Sequence, residues 1–112
     1  MIQMRNHNAK YQIGQIVKHK HYPFRGVVFD VDAQFSNSDQ WWESIPEDIR
    51  PHKDQPFYHL LAENAQNTYV AYVSEQNLEP DYDPEPVSHP QVAELFDNMK
   101  DGVYHQRYIK SH

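Results

Sequence analysis

The histidine and carboxylate side chains are the residues of this chain whose types and spacing could support chemistry at a metal ion. His19 and His21 stand two apart, as do Asp30 and Asp32, and this spacing projects both members of a pair to one face of an extended strand. Imidazole with carboxylate suits a divalent ion if four ligands converge. Pro23 indicates that the chain has already turned at His21, so nothing in the sequence brings the two pairs together. We predict no metal site and no cofactor.

Groups that could act as nucleophiles or proton carriers are scattered. The six serines lie in no nucleophile-elbow context, the three glycines form no phosphate-binding loop, and the chain has no cysteine. His59 with Glu63 or Glu75 could act as an acid–base pair. A histidine within a β-strand is, however, more often a hydrogen-bonded structural residue. We therefore predict that the protein is not an enzyme and has no catalytic residues.

Basic side chains are concentrated near the N-terminus. Residues 1–25 carry five of the ten lysines and arginines and no acid, whereas the whole chain has a net charge of −6. Duplex affinity rests largely on cations that neutralise phosphates. The candidate DNA-binding residues are therefore Lys10, Lys18, Lys20 and Arg25, with Arg5 in the same segment and Tyr22 or Trp41 available to contact a base or a methyl group. The alternative is an ordinary solvated strand edge, where lysine discourages aggregation.

Aromatic side chains offer a second candidate surface. The chain has eight Tyr, five Phe and two Trp, more than so small a core requires. The candidate protein-binding residues are Trp41, Trp42, Tyr58 and Tyr72, with Tyr69 in the same region. The acidic segment 79–87 could engage a basic partner. The alternative is that the tyrosines flank the core, the tryptophans hold an inserted segment in place, and the acids keep the segment solvated.

Runs of β-branched and aromatic residues predict the strands that position these side chains. The predicted strands are residues 13–19, 24–32, 57–63 and 68–74, with a tight turn at 64–67. Val27, Phe29 and Val31 are predicted to share the core face of the second strand. The insert, residues 33–56, contains a predicted short helix capped by Ser38, and a second short helix is predicted over 90–96. The predicted class is all-β, a small SH3-like β-barrel with a helical insert between strands 2 and 3 and a short C-terminal helix.

Length and composition predict one domain in 112 residues. We expect a flexible N-terminus at 1–9, the domain over 10–96 with its acidic, proline-rich arm at 79–87, and a tail at 97–112. In that tail Val103, Tyr104, Tyr108 and Ile109 could form an edge strand. The chain has no apolar run of transmembrane length and no signal-peptide pattern, so we expect a cytoplasmic protein without membrane contact.

Four blocks of sequence, taken together, resemble the HspQ family, also called the YccV-like or hemimethylated-DNA-binding domain. They are Gly14-Gln15, then Arg25-Gly26-Val27-Val28 with Asp30 and Asp32, then Pro56-Phe57-Tyr58-His59, then residues 72–78. The resemblance covers about residues 10–96. It implies an SH3-like barrel, a cytoplasmic location, heat-shock association, binding to hemimethylated DNA, and a role in proteolysis by the Lon protease and turnover of the replication initiator.

Two functions follow from these observations. The leading prediction is a non-enzymatic, heat-shock-associated factor that promotes degradation by binding a Lon-type protease or its client proteins. The alternative is a DNA-binding module that recognises hemimethylated DNA through the basic segment. The two can coexist, and a homo-oligomer is left open.

Overall fold

Five antiparallel strands form the central sheet in the computed structural model, which describes residues 8–107. Their order across the sheet is β4–β3–β2–β1–β5, and each neighbouring pair is antiparallel. The strands are β1 (Ile16–His19), β2 (Arg25–Asp32), β3 (Phe57–Glu63), β4 (Thr68–Ser74) and β5 (Leu78–Pro80). Residues 64–67 make the tight β3–β4 turn, in which the side chain of Asn64 accepts the N–H groups of Gln66 and Asn67.

The remaining elements are short. The insert between β2 and β3 contains α1 (Asp39–Glu43) and a 3-10 helix at Glu47–Ile49, and another 3-10 helix at Glu75–Asn77 joins β4 to β5. The hydroxyl of Ser38 accepts the N–H of Trp41 at 3.1 Å and so caps α1. After the arm come α2 (Val92–Leu95), β6 (Phe96–Lys100) and β7 (Val103–Gln106), the last two forming a separate two-stranded sheet. The predicted all-β class is confirmed in its coarser form, since the described residues are mostly β-strands with a few short helices. Within residues 8–107, β4 and β5 do not pair with each other, so no closed barrel is formed by hydrogen bonding.

A β-bulge changes which face each residue of β2 occupies. The register passes from Val28 opposite Leu60 to Asp30 opposite His59, so Phe29 has no cross-strand partner. Val27 and Phe29 therefore pack on one face, while Val28 and Val31 pack on the other. The prediction of a single core face for Val27, Phe29 and Val31 is wrong because the bulge interrupts the two-residue alternation.

Apolar side chains are buried on both faces of the sheet. One cluster consists of Tyr11, Val17, Val28, Tyr58, Leu60, Ala62, Val73 and Leu78. The other consists of Ile16, Val27, Leu61, Val87, Val92, Phe96 and Tyr104. Because the second cluster takes residues from the end of the arm, α2, β6 and β7, these late elements cover one face of the sheet.

The β6–β7 hairpin contacts the start of the domain directly. The backbone N–H of Tyr104 donates to the carbonyl of Gly14 at 2.8 Å, and Gln15 forms an isolated bridge with Val103. Residues from 97, which the sequence assigns to a tail, thus include a packed hairpin. Most of the expected flexible N-terminus, including Arg5, lies outside the described residues, as do Tyr108 and Ile109. No helix within residues 8–107 has the length and apolar character needed to span a bilayer.

Candidate functional site

The turn between β1 and β2, residues 20–24, is held by the imidazole of His19. Its Nδ1 accepts the backbone N–H groups of His21 at 2.9 Å and Tyr22 at 3.0 Å. A nitrogen that accepts two hydrogen bonds cannot also carry a proton, so the ring is neutral with its proton on Nε2. Burial, with a smaller effect from His21, lowers the pKa of His19 to about 4. The turn presents Tyr22 to solvent, with 45% of that residue exposed.

Two pockets meet at this turn. The turn pocket, of about 460 Å³, is bordered by basic, acidic and aromatic side chains, among them Lys18, Tyr22, Phe24, Arg25, Glu63 and Asp81. The insert pocket, of about 180 Å³, lies between the turn, the insert and β4, and its lining includes Trp41, Ile45, Tyr69 and Tyr72. Both pockets share His19, Tyr22 and Phe24 as a common wall. The structure therefore places candidate DNA-binding and candidate protein-binding residues on adjoining surfaces.

A row of four charged residues crosses the sheet beside the turn pocket. In register order it runs Glu63 on β3, Arg25 on β2, Lys18 on β1 and Glu79 on β5. Lys18 Nζ lies 3.7 Å from Glu79, and both side chains are about half exposed, so this ion pair is weak. The two central cations are thus flanked by acids on both sides. This arrangement lowers the positive potential that the N-terminal sequence implies.

The guanidinium of Arg25 is hydrogen-bonded mainly to the acidic arm, residues 79–87. Nε donates to Asp81 at 2.8 Å, Nη1 donates to Glu63 at 3.2 Å and to the carbonyl of Glu85 at 2.8 Å, and Nη2 donates to the carbonyl of Asp83 at 3.2 Å. Burial alone would lower the pKa of Arg25, but the hydrogen bonds and charges of Asp81 and Glu63 raise it above its ordinary value. In this conformation Arg25 fixes the arm instead of facing a phosphate.

The side chains of the other candidate DNA-binding residues, all lysines, have fewer partners than that of Arg25. Lys20 is exposed in the turn, and its ammonium has no ion-pair partner in the part of the chain that the structure describes. Lys10 is also exposed, and its backbone N–H donates to the Glu75 carboxylate at 2.9 Å. Lys10 lines neither of the two pockets. Lys18, near the end of β1, and Lys20, in the turn, are therefore the cations that this region offers to an anion.

Trp41 and Tyr72 both line the insert pocket, with their ring centroids 5.3 Å apart. Trp42 points elsewhere, since its indole N–H donates to the carbonyl of Pro51 at 2.8 Å and its ring lies beneath Lys53, 4.6 Å from centroid to Nζ. Trp42 therefore holds the insert together, as the alternative interpretation of the sequence expected.

Tyr58 is wrong as a candidate contact residue, because it is fully buried. Its hydroxyl donates to Glu75 at 2.7 Å and accepts the N–H of Tyr11 at 3.3 Å. Burial, reinforced by Glu75, raises the pKa of Tyr58 well above its ordinary value. Tyr58 belongs to the core, the role that the sequence allowed as an alternative.

His59 pairs with Asp32, and not with either of the glutamates that the sequence suggested. Its Nε2 lies 3.0 Å from Oδ2 of Asp32, which also accepts the hydroxyl of Tyr72 at 2.9 Å. Burial, together with Asp32, raises the pKa of Tyr72 to about 12. Sequence reasoning missed this group because its members come from three strands. The signal available was only that all three residues lie in predicted strands, because the register that brings His59 to Asp32 depends on the bulge at Phe29.

Comparison with known proteins gives a family match over most of the chain. The family model described as "Hemimethylated DNA-binding protein YccV like" matches residues 9–103, which reaches into β7. F-box only protein 21 from Pongo abelii and from Homo sapiens is 34% identical over 87 residues, and the Mus musculus protein is 33% identical, each match covering 77% of this chain. The chain spans only 13% to 14% of the length of these relatives. No solved structure matches it significantly.

Proposed function

The chain belongs to the family of YccV-like hemimethylated-DNA-binding proteins, and from this premise we propose that it binds duplex DNA and distinguishes hemimethylated from unmethylated sites. The observation that carries the proposal is the surface around the β1–β2 turn, where Lys18 and the exposed Tyr22 border the turn pocket and Lys20 lies exposed in the turn itself. Lysines at this position are suited to phosphates, and an aromatic ring is suited to an apolar group on a base.

The charges around the turn set the expected strength of binding. Arg25 is held by Asp81 and Glu63, whereas the weak pair of Lys18 with Glu79 can exchange for a phosphate. About two phosphates are then neutralised, which predicts a slope of roughly −2 in log affinity against log salt concentration. Because this electrostatic contribution is small, discrimination between methylated and unmethylated duplexes must come from short-range contacts. Tyr22 and Phe24 supply apolar surface that a methyl group can contact, as apolar side chains contact the thymine methyl in the major groove.

The test is fluorescence anisotropy on one duplex prepared unmethylated, methylated on either strand and methylated on both. Titrations at about 50 mM and about 200 mM salt give the slope. We expect the hemimethylated forms to bind most tightly. Lys18→Glu with Lys20→Glu should abolish binding, and Tyr22→Ala should remove the methylation preference while leaving the slope unchanged.

The matched control is Lys100→Glu, which reverses an exposed charge on β6 and should not alter binding. Equal affinity for all methylation states would refute recognition of hemimethylated sites. An effect of Lys100→Glu as large as that of the turn variants would show that net charge, and not the turn, controls binding.

Promotion of protein degradation is the second candidate function, with a Lon-type protease or its clients as partner. Its support is the insert pocket, together with β4, which lies at the edge of the sheet and leaves Val70 56% exposed. An unpaired edge strand beside an apolar pocket can accept an extended peptide as an added strand. Heat-shock association and a cytoplasmic location belong to this proposal. The SH3-like barrel remains a proposal too, supported by the strand order.

A degradation assay with purified protease and a client protein tests this second function. We expect the protein to accelerate client loss, and Trp41→Ala with Val70→Lys to remove the acceleration while DNA binding is retained. Tyr82→Ala is the control, because Tyr82 is 88% exposed and lines neither the turn pocket nor the insert pocket. Client loss at the same rate with and without the protein would refute the function.

A further inference from the structure

Three side chains with metal-binding atoms converge on one face of the sheet, and they line neither the turn pocket nor the insert pocket. Asp30 and Asp32 project from β2 two residues apart, and His59 on β3 lies directly opposite Asp30. One imidazole nitrogen and two carboxylate oxygens from these residues all lie within 4.8 Å of one another. The bulge at Phe29 sets this register, because it moves Asp30 into the position opposite His59.

We propose that Asp30, Asp32 and His59 form a binding site for a divalent first-row transition-metal ion such as Zn²⁺. Ligand atoms about 2.0–2.2 Å from one ion stand at most about 4.4 Å apart, and roughly 3.4 Å apart in a tetrahedral site. The observed 3.0 Å between Nε2 of His59 and Oδ2 of Asp32 is close to the second value. The three ligand atoms lie within 4.8 Å of one another, so only a small side-chain movement would be needed to bring all of them within the first limit. A nitrogen with two carboxylate oxygens favours zinc, cobalt or nickel over magnesium or calcium.

The site is accessible to solvent, and one of its ligands is held in position by a hydrogen bond. The side chains of His59 and Asp32 are 30% and 26% exposed, and Asp30 is exposed, so a hydrated ion can reach them. The hydroxyl of Tyr72 donates to Oδ2 of Asp32 at 2.9 Å and holds that carboxylate in place. Hydrogen-bond partners of this kind tune metal affinity by orienting the ligands. Three protein ligands leave the remaining coordination positions to water.

Tyr72 also connects the site to the insert. Its hydroxyl accepts the backbone N–H of Ser36 at 2.9 Å, and its ring contacts Trp41. An ion bound by β2 and β3 therefore acts on a residue that holds the insert and lines the insert pocket. The inference goes beyond DNA binding and does not depend on it, since it uses none of the turn residues.

Titration of the purified protein with Zn²⁺ by calorimetry, and with Co²⁺ by visible absorption, tests the site. We expect saturable binding of one ion per chain, and a loss of at least about tenfold in affinity in Asp30→Asn and in His59→Gln. Tyr72→Phe should weaken binding about tenfold while one ion is still bound, the size typical of a residue that orients a ligand. His105→Gln, at an exposed histidine of β7, is the matched control and should bind as the parent does.

Paramagnetic broadening locates the ion without any substitution. Substoichiometric Co²⁺ should broaden the amide resonances of residues 30–32 and 59 before those of the other histidines. Broadening centred on His19 and His21 instead would overturn the assignment. An equal response to Mg²⁺ would indicate charge screening only, and an equal loss in His105→Gln would indicate binding scattered over several histidines. Either result would leave His59 and Asp32 as an ordinary hydrogen-bonded pair.

Discussion

The Nε atom of Arg25 donates to Oδ2 of Asp81 at 2.8 Å, although 56 residues separate the two along the chain. Arg25 begins β2 and Asp81 directly follows β5, so their contact passes over the end of β1, which lies between those strands. Only 15% and 11% of the two side chains are exposed. The pair therefore fixes the acidic arm against the sheet beside the turn pocket, which Lys18 also borders.

Replacing Arg25 by Met should lower the free energy of unfolding by about 2–4 kcal/mol, because it leaves the largely buried carboxylates of Asp81 and Glu63 without their cation. Urea denaturation followed by circular dichroism measures the change. Lys18→Met removes a cation from the same row, but one whose pair is half exposed, and should change stability by less than about 0.5 kcal/mol. Equal effects of the two variants would contradict a structural role for Arg25.

Lowering the pH should weaken the contacts of Arg25 with Asp81 and Glu63. The pKa values of Glu63 and Asp81 are lowered from ordinary values of 4.5 and 3.8: burial opposes ionisation, but hydrogen bonds from Ser88 and Asp83, together with Arg25, outweigh it. Carboxyls with a lowered folded-state pKa stabilise the fold above their unfolded pKa, and this contribution is lost as pH falls through the folded pKa.

Urea midpoints measured from about pH 6 down to about pH 2.5 should therefore decline below about pH 4.5. The decline should be shallower in Glu63→Gln. In Glu94→Gln, an exposed residue of α2, it should match the parent. A Glu63→Gln curve that coincides with the parent's would refute the prediction.

His19 should contribute a separate pH dependence, at higher pH. Its pKa is lowered to about 4 by burial and then by His21, so the unfolded chain takes up a proton between about pH 6.5 and pH 4 that the folded chain does not. Stability should therefore fall as pH falls through this window. In His19→Asn that slope should be absent, while the amide oxygen can still accept the N–H groups of the turn. His21→Asn should keep the slope, and a slope unchanged in His19→Asn would refute the assignment.

Gly14 should be intolerant of any side chain. Its φ is +94°, and a Cβ there would overlap the carbonyl oxygen of Tyr104. Gly14→Ala should lower stability by at least about 2 kcal/mol, through backbone strain and displacement of the β6–β7 hairpin. Gly102→Ala is the control, since Gly102 has φ of +78° but no atom within 4 Å of its Cβ position. The difference between the two variants in thermal or urea unfolding isolates the contact, and equal losses would contradict it.

Local patterns of the sequence predict much of the secondary structure. The predicted strands over 57–63 and 68–74 agree with β3 and β4 because alternating β-branched and aromatic residues suit a sheet on any topology. The cap at Ser38 also depends only on residues within one turn of α1. The bulge at Phe29 was not predictable in the same way, because it exists only relative to the register of the neighbouring strand.

The candidate site shows the same division between features that local sequence predicts and features that depend on tertiary packing. Trp41 and Tyr72 were named from their type, and Tyr58 was named on the same grounds, yet two of them line a pocket and the third is buried. Adjacent strands decide this outcome, because exposure depends on what packs against a residue.

By itself, the sequence determined the mostly-β class, the family and the basic turn, since each of these is encoded in residue types and short spacings. Only the tertiary structure decided that Arg25 is occupied by Asp81 and that Asp32 meets His59. Both pairs join residues distant in the chain, and their geometry is set by strand register and packing, which no local pattern carries.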